Sequence, residues 1–145
     1  MNFNFVTVPH VEMRWGGARQ LGELLRAQFP DQQRVCIVTD GFLHQSGLLT
    51  QPLASLAEQQ FEVLVIDDVV ADPPEQVVLD IVQRAREWQA DLVVGFGGGS
   101  SMDAAKLLAV LLYTQAMGMI RYDQFADLHT LSRQLRCRRS RRDIR

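Results

Sequence analysis

The chain has 145 residues, of which 47% are apolar and 22% charged, a composition typical of a globular domain with its own core. No apolar run approaches the roughly 18 residues that indicate a transmembrane helix, and the first residues lack the pattern of a signal peptide, so we expect a cytoplasmic protein without a membrane partner. Cys36 and Cys137 lie in unrelated contexts, which argues against a disulfide framework.

The net charge of −2 hides an asymmetry along the chain. Residues 1–132 carry a formal charge of −8, whereas residues 133–145, with seven arginines and one aspartate, carry +6. A break in composition of this kind indicates a boundary between two parts of the chain.

Strands and helices are predicted to alternate through the first half of the chain, because continuous apolar runs are separated by segments with leucines at helical spacing. The predicted elements are, in order, a strand at residues 3–8, a turn at 15–17, a helix at 18–28, a strand at 34–39, a helix from about residue 50 and a strand at 62–66.

The alternation continues in the second half. Asp72 is predicted to cap a helix that has prolines in its first turn and extends to about Trp88. A strand follows at residues 91–96, and another helix begins at Ser100 with an acid, Asp103, three residues later. The order of elements predicts an α/β fold: a Rossmann-like parallel sheet with helices on both faces.

A glycine-rich turn, Gly97-Gly98-Gly99-Ser100, joins the last strand to the last helix. Glycines let a ligand approach the backbone closely, and a helix N-terminus offers unpaired N–H groups to a phosphate. The turn lacks the third glycine of the G-x-G-x-x-G motif and the Gly-Lys-Ser/Thr of a P-loop. It predicts a phosphorylated ligand, above all a dinucleotide; a turn without a ligand is the alternative.

Residues 97–106, read as Gly-Gly-Gly-Ser-x-x-Asp-x-Ala-Lys, resemble the nucleotide-binding signature of the iron-containing (group III) alcohol dehydrogenases. This family shares a fold superfamily with glycerol dehydrogenase and dehydroquinate synthase. Val-Thr-Asp at residues 38–40 and Asp-Pro-Pro at residues 72–74 also resemble family patterns. The resemblance implies that residues 1–113 form a dehydroquinate synthase-like, dinucleotide-binding N-terminal domain.

The same resemblance implies a cofactor site. Its residues would be Asp40, Gly97, Gly98, Gly99, Ser100 and Asp103. Asp40 would accept hydrogen bonds from the adenine-side ribose and repel a 2′-phosphate, which favours NAD over NADP, while the turn would hold the pyrophosphate. Local explanations stay open: Asp40 as a turn residue, Asp103 as a cap of its own helix, and Lys106 as a surface lysine.

Complete enzymes of this family carry a second, all-helical domain that binds Fe²⁺ or Zn²⁺, and the metal polarises the alcohol oxygen. The histidines here, His10, His44 and His129, are scattered, so we expect neither metal-ligating nor catalytic residues in this chain. The resemblance therefore implies the cofactor half of an NAD-dependent dehydrogenase of small alcohols or aldehydes, inactive alone and able to pair as a homodimer. The helical metal domain is expected to be absent.

Residues 114–145 diverge from the family and are predicted to be a poorly ordered, arginine-rich tail. One explanation is a truncation or frameshift after about residue 113. The alternative is a non-catalytic nucleotide-binding module whose basic tail recruits a partner or nucleic acid. Nucleic acid is the less expected of the two, because no aromatic side chains are interleaved with the arginines.

Overall fold

A computed structural model describes residues 12–70 and 74–116. Its elements in chain order are a 3-10 helix Gly17–Gln20, α1 (Leu21–Gln28), β1 (Arg34–Val38), α2 (Gly41–Gln45), α3 (Thr50–Glu58), β2 (Glu62–Ile66), α4 (Glu75–Glu87), β3 (Leu92–Gly95) and α5 (Gly99–Ala116). None of the helices in these two ranges is long and apolar enough to cross a membrane. The strand predicted at residues 3–8 and residues 117–145 of the predicted tail lie outside the described residues, whereas residues 114–116, also assigned to the tail, end α5.

The three described strands form a parallel sheet, as the alternation of elements predicted, and their order in the sheet is β2-β1-β3. The central strand β1 has both neighbours in register, so that Val38 lies opposite Ile66 of β2 and Gly95 of β3. After β1 the chain therefore forms β2 on one side of β1, and then crosses to the opposite side of β1 to form β3. Successive crossovers in opposite directions place their helices on opposite faces of the sheet.

Alternate residues of β1 supply the two cores, since successive side chains of a strand point to opposite faces. Val35 and Ile37 pack with Leu49 and Leu56 on the face covered by α1 and α3. The other face packs against α4 and α5, through the buried residues Cys36, Val38, Ile66, Val69, Val78, Ile81, Val82, Ala85, Ala104, Ala105, Leu108 and Leu111. The predicted α/β class with helices on both faces is confirmed.

Cys36 lies within β1 and is a fully buried core residue. Burial raises the pKa of its thiol to about 12, because the low-dielectric interior disfavours the thiolate. The side chain therefore stays protonated and serves as a small apolar group.

The start of α4 differs from the prediction. The sequence suggested prolines within the first turn and Asp72 as the cap, but the helix begins at Glu75 with Pro74 at the N-cap position. Pro74 has the extended ψ of 148° of a residue that precedes a helix, and no side-chain hydrogen bond caps this end. Asp72 lies outside the described residues.

The helices α1 and α3 approach each other backbone to backbone at Gly22. A Cβ atom added to Gly22 would lie 2.1 Å from the carbonyl oxygen of Ser55, a separation that no side chain tolerates. The Gly22 N–H also donates to Ser55 Oγ at 3.0 Å. The close approach lets Leu21 and Leu25 reach the core beneath α3.

We expect Gly22→Ala to destabilise the fold by about 2 kcal/mol or more, because the new methyl group overlaps the α3 backbone. Alanine elsewhere within a helix stabilises it by roughly 0.5–1 kcal/mol relative to glycine, so the sign is diagnostic. Urea denaturation measures the change, and Gly99→Ala, with nothing within 4 Å of the added atom, is the matched control. A midpoint that stays constant or rises in Gly22→Ala would contradict this packing.

Candidate functional site

The carboxyl ends of β1 and β3 border a crevice at one edge of the sheet. After β1 the chain leads to α3 on one face, and after β3 it leads to α5 on the other, so the two connections diverge. In open parallel sheets, ligands bind in the crevice where strand order reverses in this way. Asp40 follows the first of these strands and the glycine turn follows the second.

Asp40 and Gly97 are direct neighbours in this crevice. A Cβ atom added to Gly97 would lie 3.4 Å from Asp40 Oδ2 and 2.8 Å from Leu43 Cδ1. Gly97 has a φ of 138°, a backbone conformation that residues other than glycine rarely adopt. The fold thus brings together two residues that the sequence assigned to one site, although their part in binding stays a prediction.

The rest of the turn is open. Gly98, Gly99 and Ser100 are exposed, and a Cβ atom added to either glycine would have no neighbour within 4 Å. α5 begins at Gly99, so the first N–H groups of an 18-residue helix face this space. Unpaired N–H groups and the positive end of the helix dipole together attract an anion such as a phosphate.

Gly95 is a site residue to which the sequence analysis gave no role. A Cβ atom added there would lie 3.0 Å from Ala105 Cβ and 3.1 Å from Met102 Cα, so α5 lies directly against the end of β3. The close packing of α5 against β3 fixes the position of the N-terminus of α5. A glycine within an otherwise apolar strand is the pattern that could have indicated it.

Asp40 also has a local structural role. It is the N-cap of α2, and its Oδ1 accepts a hydrogen bond from Leu43 N at 2.9 Å. The interpretation as a turn residue is therefore correct in part: one carboxylate oxygen caps the helix while the other lies beside Gly97. The sequence analysis missed α2, because five residues that begin with glycine have too little periodicity to predict a helix.

Asp103 does not cap its own helix. α5 begins at Gly99, which puts Ser100 inside the first turn and Asp103 beyond the capping positions. Asp103 instead forms an ion pair with Lys106 at 3.0 Å, and both side chains are about three-quarters exposed, at 76% and 73%. Exposed pairs at this spacing stabilise a helix by only about 0.2–0.5 kcal/mol, so Lys106 is a surface lysine with a weak partner.

Two further carboxylates follow β2, next to the crevice, and both are paired. Asp67 Oδ2 lies 2.6 Å from His44 Nδ1, and this hydrogen bond holds the pKa of Asp67 below its usual value. Asp68 accepts two hydrogen bonds from Arg84 Nη1, at 2.8 and 3.0 Å. Asp40, by contrast, faces the glycine turn.

The described residues do not form a metal site. In the ranges 12–70 and 74–116, His, Cys, Asp and Glu side chains do not converge in any group of three or more that could hold a metal ion. His44 is the histidine within these ranges, and it contacts Asp67.

Comparison with known proteins gives one family. The model of that family, described as iron-containing alcohol dehydrogenase, matches residues 9–135. The match extends past residue 113, where the sequence analysis expected the likeness to end.

Individual relatives agree with the family match. The long-chain-alcohol dehydrogenase 1 of Geobacillus thermodenitrificans is 36% identical over 103 residues, which are 71% of this chain and 26% of that protein. The NAD-dependent methanol dehydrogenase of Bacillus methanolicus is 29% identical over 74% of this chain and 28% of its own length.

A solved structure, the iron-containing alcohol dehydrogenase of Thermococcus thioreducens, superposes with a TM-score of 0.63 at 26% identity. The superposition covers 74% of this chain and 26% of that one. The chain thus spans about a quarter of the length of each of these three relatives.

Replacing Gly97 tests the geometry of the turn. We expect Gly97→Ala to cost about 1–3 kcal/mol, because alanine is strained at a φ of 138° and its methyl group overlaps Leu43. Gly98→Ala is the matched control, since its added atom meets open space. Thermal and urea unfolding of the two variants measure the difference, and equal stabilities would contradict the described turn.

The pairing of Asp67 predicts a pH dependence. Its pKa is lower in the folded chain than the usual value of about 3.9, so the ionised form stabilises the fold above that pH and the stabilisation is lost as the pH falls further. We expect the free energy of unfolding of wild type to exceed that of Asp67→Asn by up to about 1 kcal/mol at neutral pH. The difference is small because both side chains are partly exposed. Urea denaturation between neutral and acidic pH checks this; a difference independent of pH would refute it.

Proposed function

The chain belongs to the iron-containing alcohol dehydrogenase family over residues 9–135, and from that premise we propose that it forms the cofactor-binding half of an NAD-dependent alcohol dehydrogenase. The observation that carries the proposal is the position of Asp40 Oδ2 beside Gly97, 3.4 Å from where a Cβ atom would lie, next to the open turn at Gly98 and Gly99. The combination suits a dinucleotide, which presents both a ribose and a pyrophosphate.

The residues present suit NAD at both ends of the crevice. Asp40 keeps Oδ2 on the Gly97 side, where a carboxylate can accept hydrogen bonds from the two ribose hydroxyls. Gly98 and Gly99 leave the space that side chains would otherwise fill, so a pyrophosphate can approach the N-terminus of α5. Ser100, exposed at the same end, adds a hydroxyl donor.

The preference for NAD over NADP rests on the charge of Asp40. Its carboxylate repels the 2′-phosphate of NADP and accepts from the free 2′-hydroxyl of NAD. The methanol dehydrogenase relative, which is NAD-dependent by name, supports the same assignment. Asp103 lies on the exposed surface of α5 with Lys106, and its part in the site is the least supported.

NAD, when bound, accepts a hydride from the carbon that bears the alcohol group. In this proposal the described residues bind and orient the dinucleotide. Three further parts of the proposal rest on family membership alone: a small alcohol or aldehyde as substrate, Fe²⁺ or Zn²⁺ in the complete enzyme, and pairing as a homodimer. A cytoplasmic location is part of it too, and the 145 residues by themselves are proposed to be inactive.

We expect the purified chain to bind NAD more tightly than NADP, and Asp40→Asn to weaken NAD binding by about tenfold or more, because hydrogen bonds to a charged group are lost. The NADP affinity should rise or stay constant, since the repulsion is removed. Isothermal titration calorimetry measures both ligands.

The matched control is Glu62→Gln, which removes one exposed carboxylate at the opposite end of the sheet. It should leave both affinities unchanged. A folded wild type that binds no NAD would overturn the proposal, as would equal NAD affinities of wild type and Asp40→Asn. Alcohol oxidation by the purified chain with NAD and metal would contradict its proposed inactivity.

A further inference from the structure

The short helix α2 carries His44, which is held at two points. Its backbone N–H donates to the carbonyl oxygen of Asp40 at 3.1 Å, and its imidazole Nδ1 lies 2.6 Å from Asp67 Oδ2. His44 therefore links Asp40, which caps α2, with Asp67, which follows β2.

α2 depends on such links, because five residues make little more than one turn and short helices are marginal without tertiary contacts. Phe42 is 80% exposed, so burial does not hold that side of the helix. Leu43 packs towards Gly97, and the start of α2 lies against β2, where a Cβ atom added to Gly41 would be 3.5 Å from the carbonyl oxygen of Asp67. At the other end, the His44–Asp67 bond ties α2 to the residue that follows β2, while Ser46 Oγ donates to the Leu43 carbonyl oxygen within the same turn.

We propose that His44 is a positioning residue for the cofactor: by bonding to Asp67 it holds α2, and through α2 it holds the Asp40 carboxylate against the glycine turn. The inference rests on the proposed function, since it concerns the same ribose-binding carboxylate. A carboxylate that is already oriented loses less freedom when a ribose binds, so the affinity is higher.

The surrounding charges are consistent with this role. The charged groups next to the pair are Asp40 after β1, Asp68 after β2 and Arg84 on α4. Arg84 is engaged by both oxygens of Asp68. His44 is thus the group that engages the Asp67 carboxylate through its side chain, and its hydrogen bond is the largest cause of the lowered pKa of Asp67.

The experiment compares two replacements of His44 in the full chain. His44→Leu removes the bond to Asp67, whereas His44→Asn keeps an N–H donor near the position of Nδ1. NMR measures how fast the Leu43 amide, which donates to Asp40 Oδ1, exchanges with water, and calorimetry measures NAD affinity. Each variant is also made in the Asp40→Asn background, where a residue that acts only through the Asp40 charge has little left to affect.

We expect His44→Leu to speed Leu43 exchange several-fold and to weaken NAD binding about two- to fivefold, the range for losing one partly exposed hydrogen bond. His44→Asn should restore both, and His44→Leu should change NAD affinity little in Asp40→Asn. Unchanged Leu43 exchange overturns the inference, and so does an equal loss of NAD affinity in both backgrounds.

Failure of the proposed function has a different result. If wild type binds no NAD, the proposed function falls and the cofactor role of His44 falls with it. The exchange rates, which need no ligand, then decide alone whether His44 holds Asp40 in place.

Discussion

The arrangement depends on β1 being hydrogen-bonded on both sides, between β2 and β3. Its four apolar residues after Arg34 are fully buried and supply both cores, so the strand cannot move without disturbing either layer of helices. Because the ladders are parallel and in register, the residues that follow all three strands emerge at one edge. Asp40, at the end of this strand, consequently meets Gly97 on one side and forms a bridge with Asp68 on the other.

Glycines shape this edge in two opposite ways. At Gly95 and Gly97 the absence of a side chain allows close contact, which seats α5 on the sheet and brings the turn to Asp40. At Gly98 and Gly99 the missing side chains leave open space above the helix N-terminus. Contact on one side and space on the other are what a dinucleotide site requires, because the phosphates must reach backbone N–H groups that are themselves held rigidly.

Residues 1–132 carry an excess of acidic side chains, and two of those near the crevice are paired with neighbouring side chains. Asp67 and Asp68 could repel an anionic ligand, but His44 and Arg84 engage them. Asp40 uses one oxygen to cap α2 and presents the other to the turn. Because Asp67 and Asp68 are paired, their charges are partly offset, which is compatible with the dinucleotide site proposed beside Asp40.

The sequence by itself determined the local features: the strands β1, β2 and β3, the helices α3 and α5, the parallel class and the glycine turn at a helix start. These follow from periodicity and backbone chemistry within a few neighbouring residues, as the identical bounds of the predicted and observed strand at residues 62–66 illustrate. The family pattern added Asp40 as a candidate.

Only the tertiary structure decided the strand order, and with it the contact of Asp40 with Gly97. It alone revealed α2, the His44–Asp67 bond and the close packing of α5 against Gly95. It also showed that Asp103 forms an ion pair with Lys106 and does not cap α5. The reason is physical: these features arise from contacts between segments far apart in sequence, or from helices too short to be stable without them, and local propensity carries no information about either.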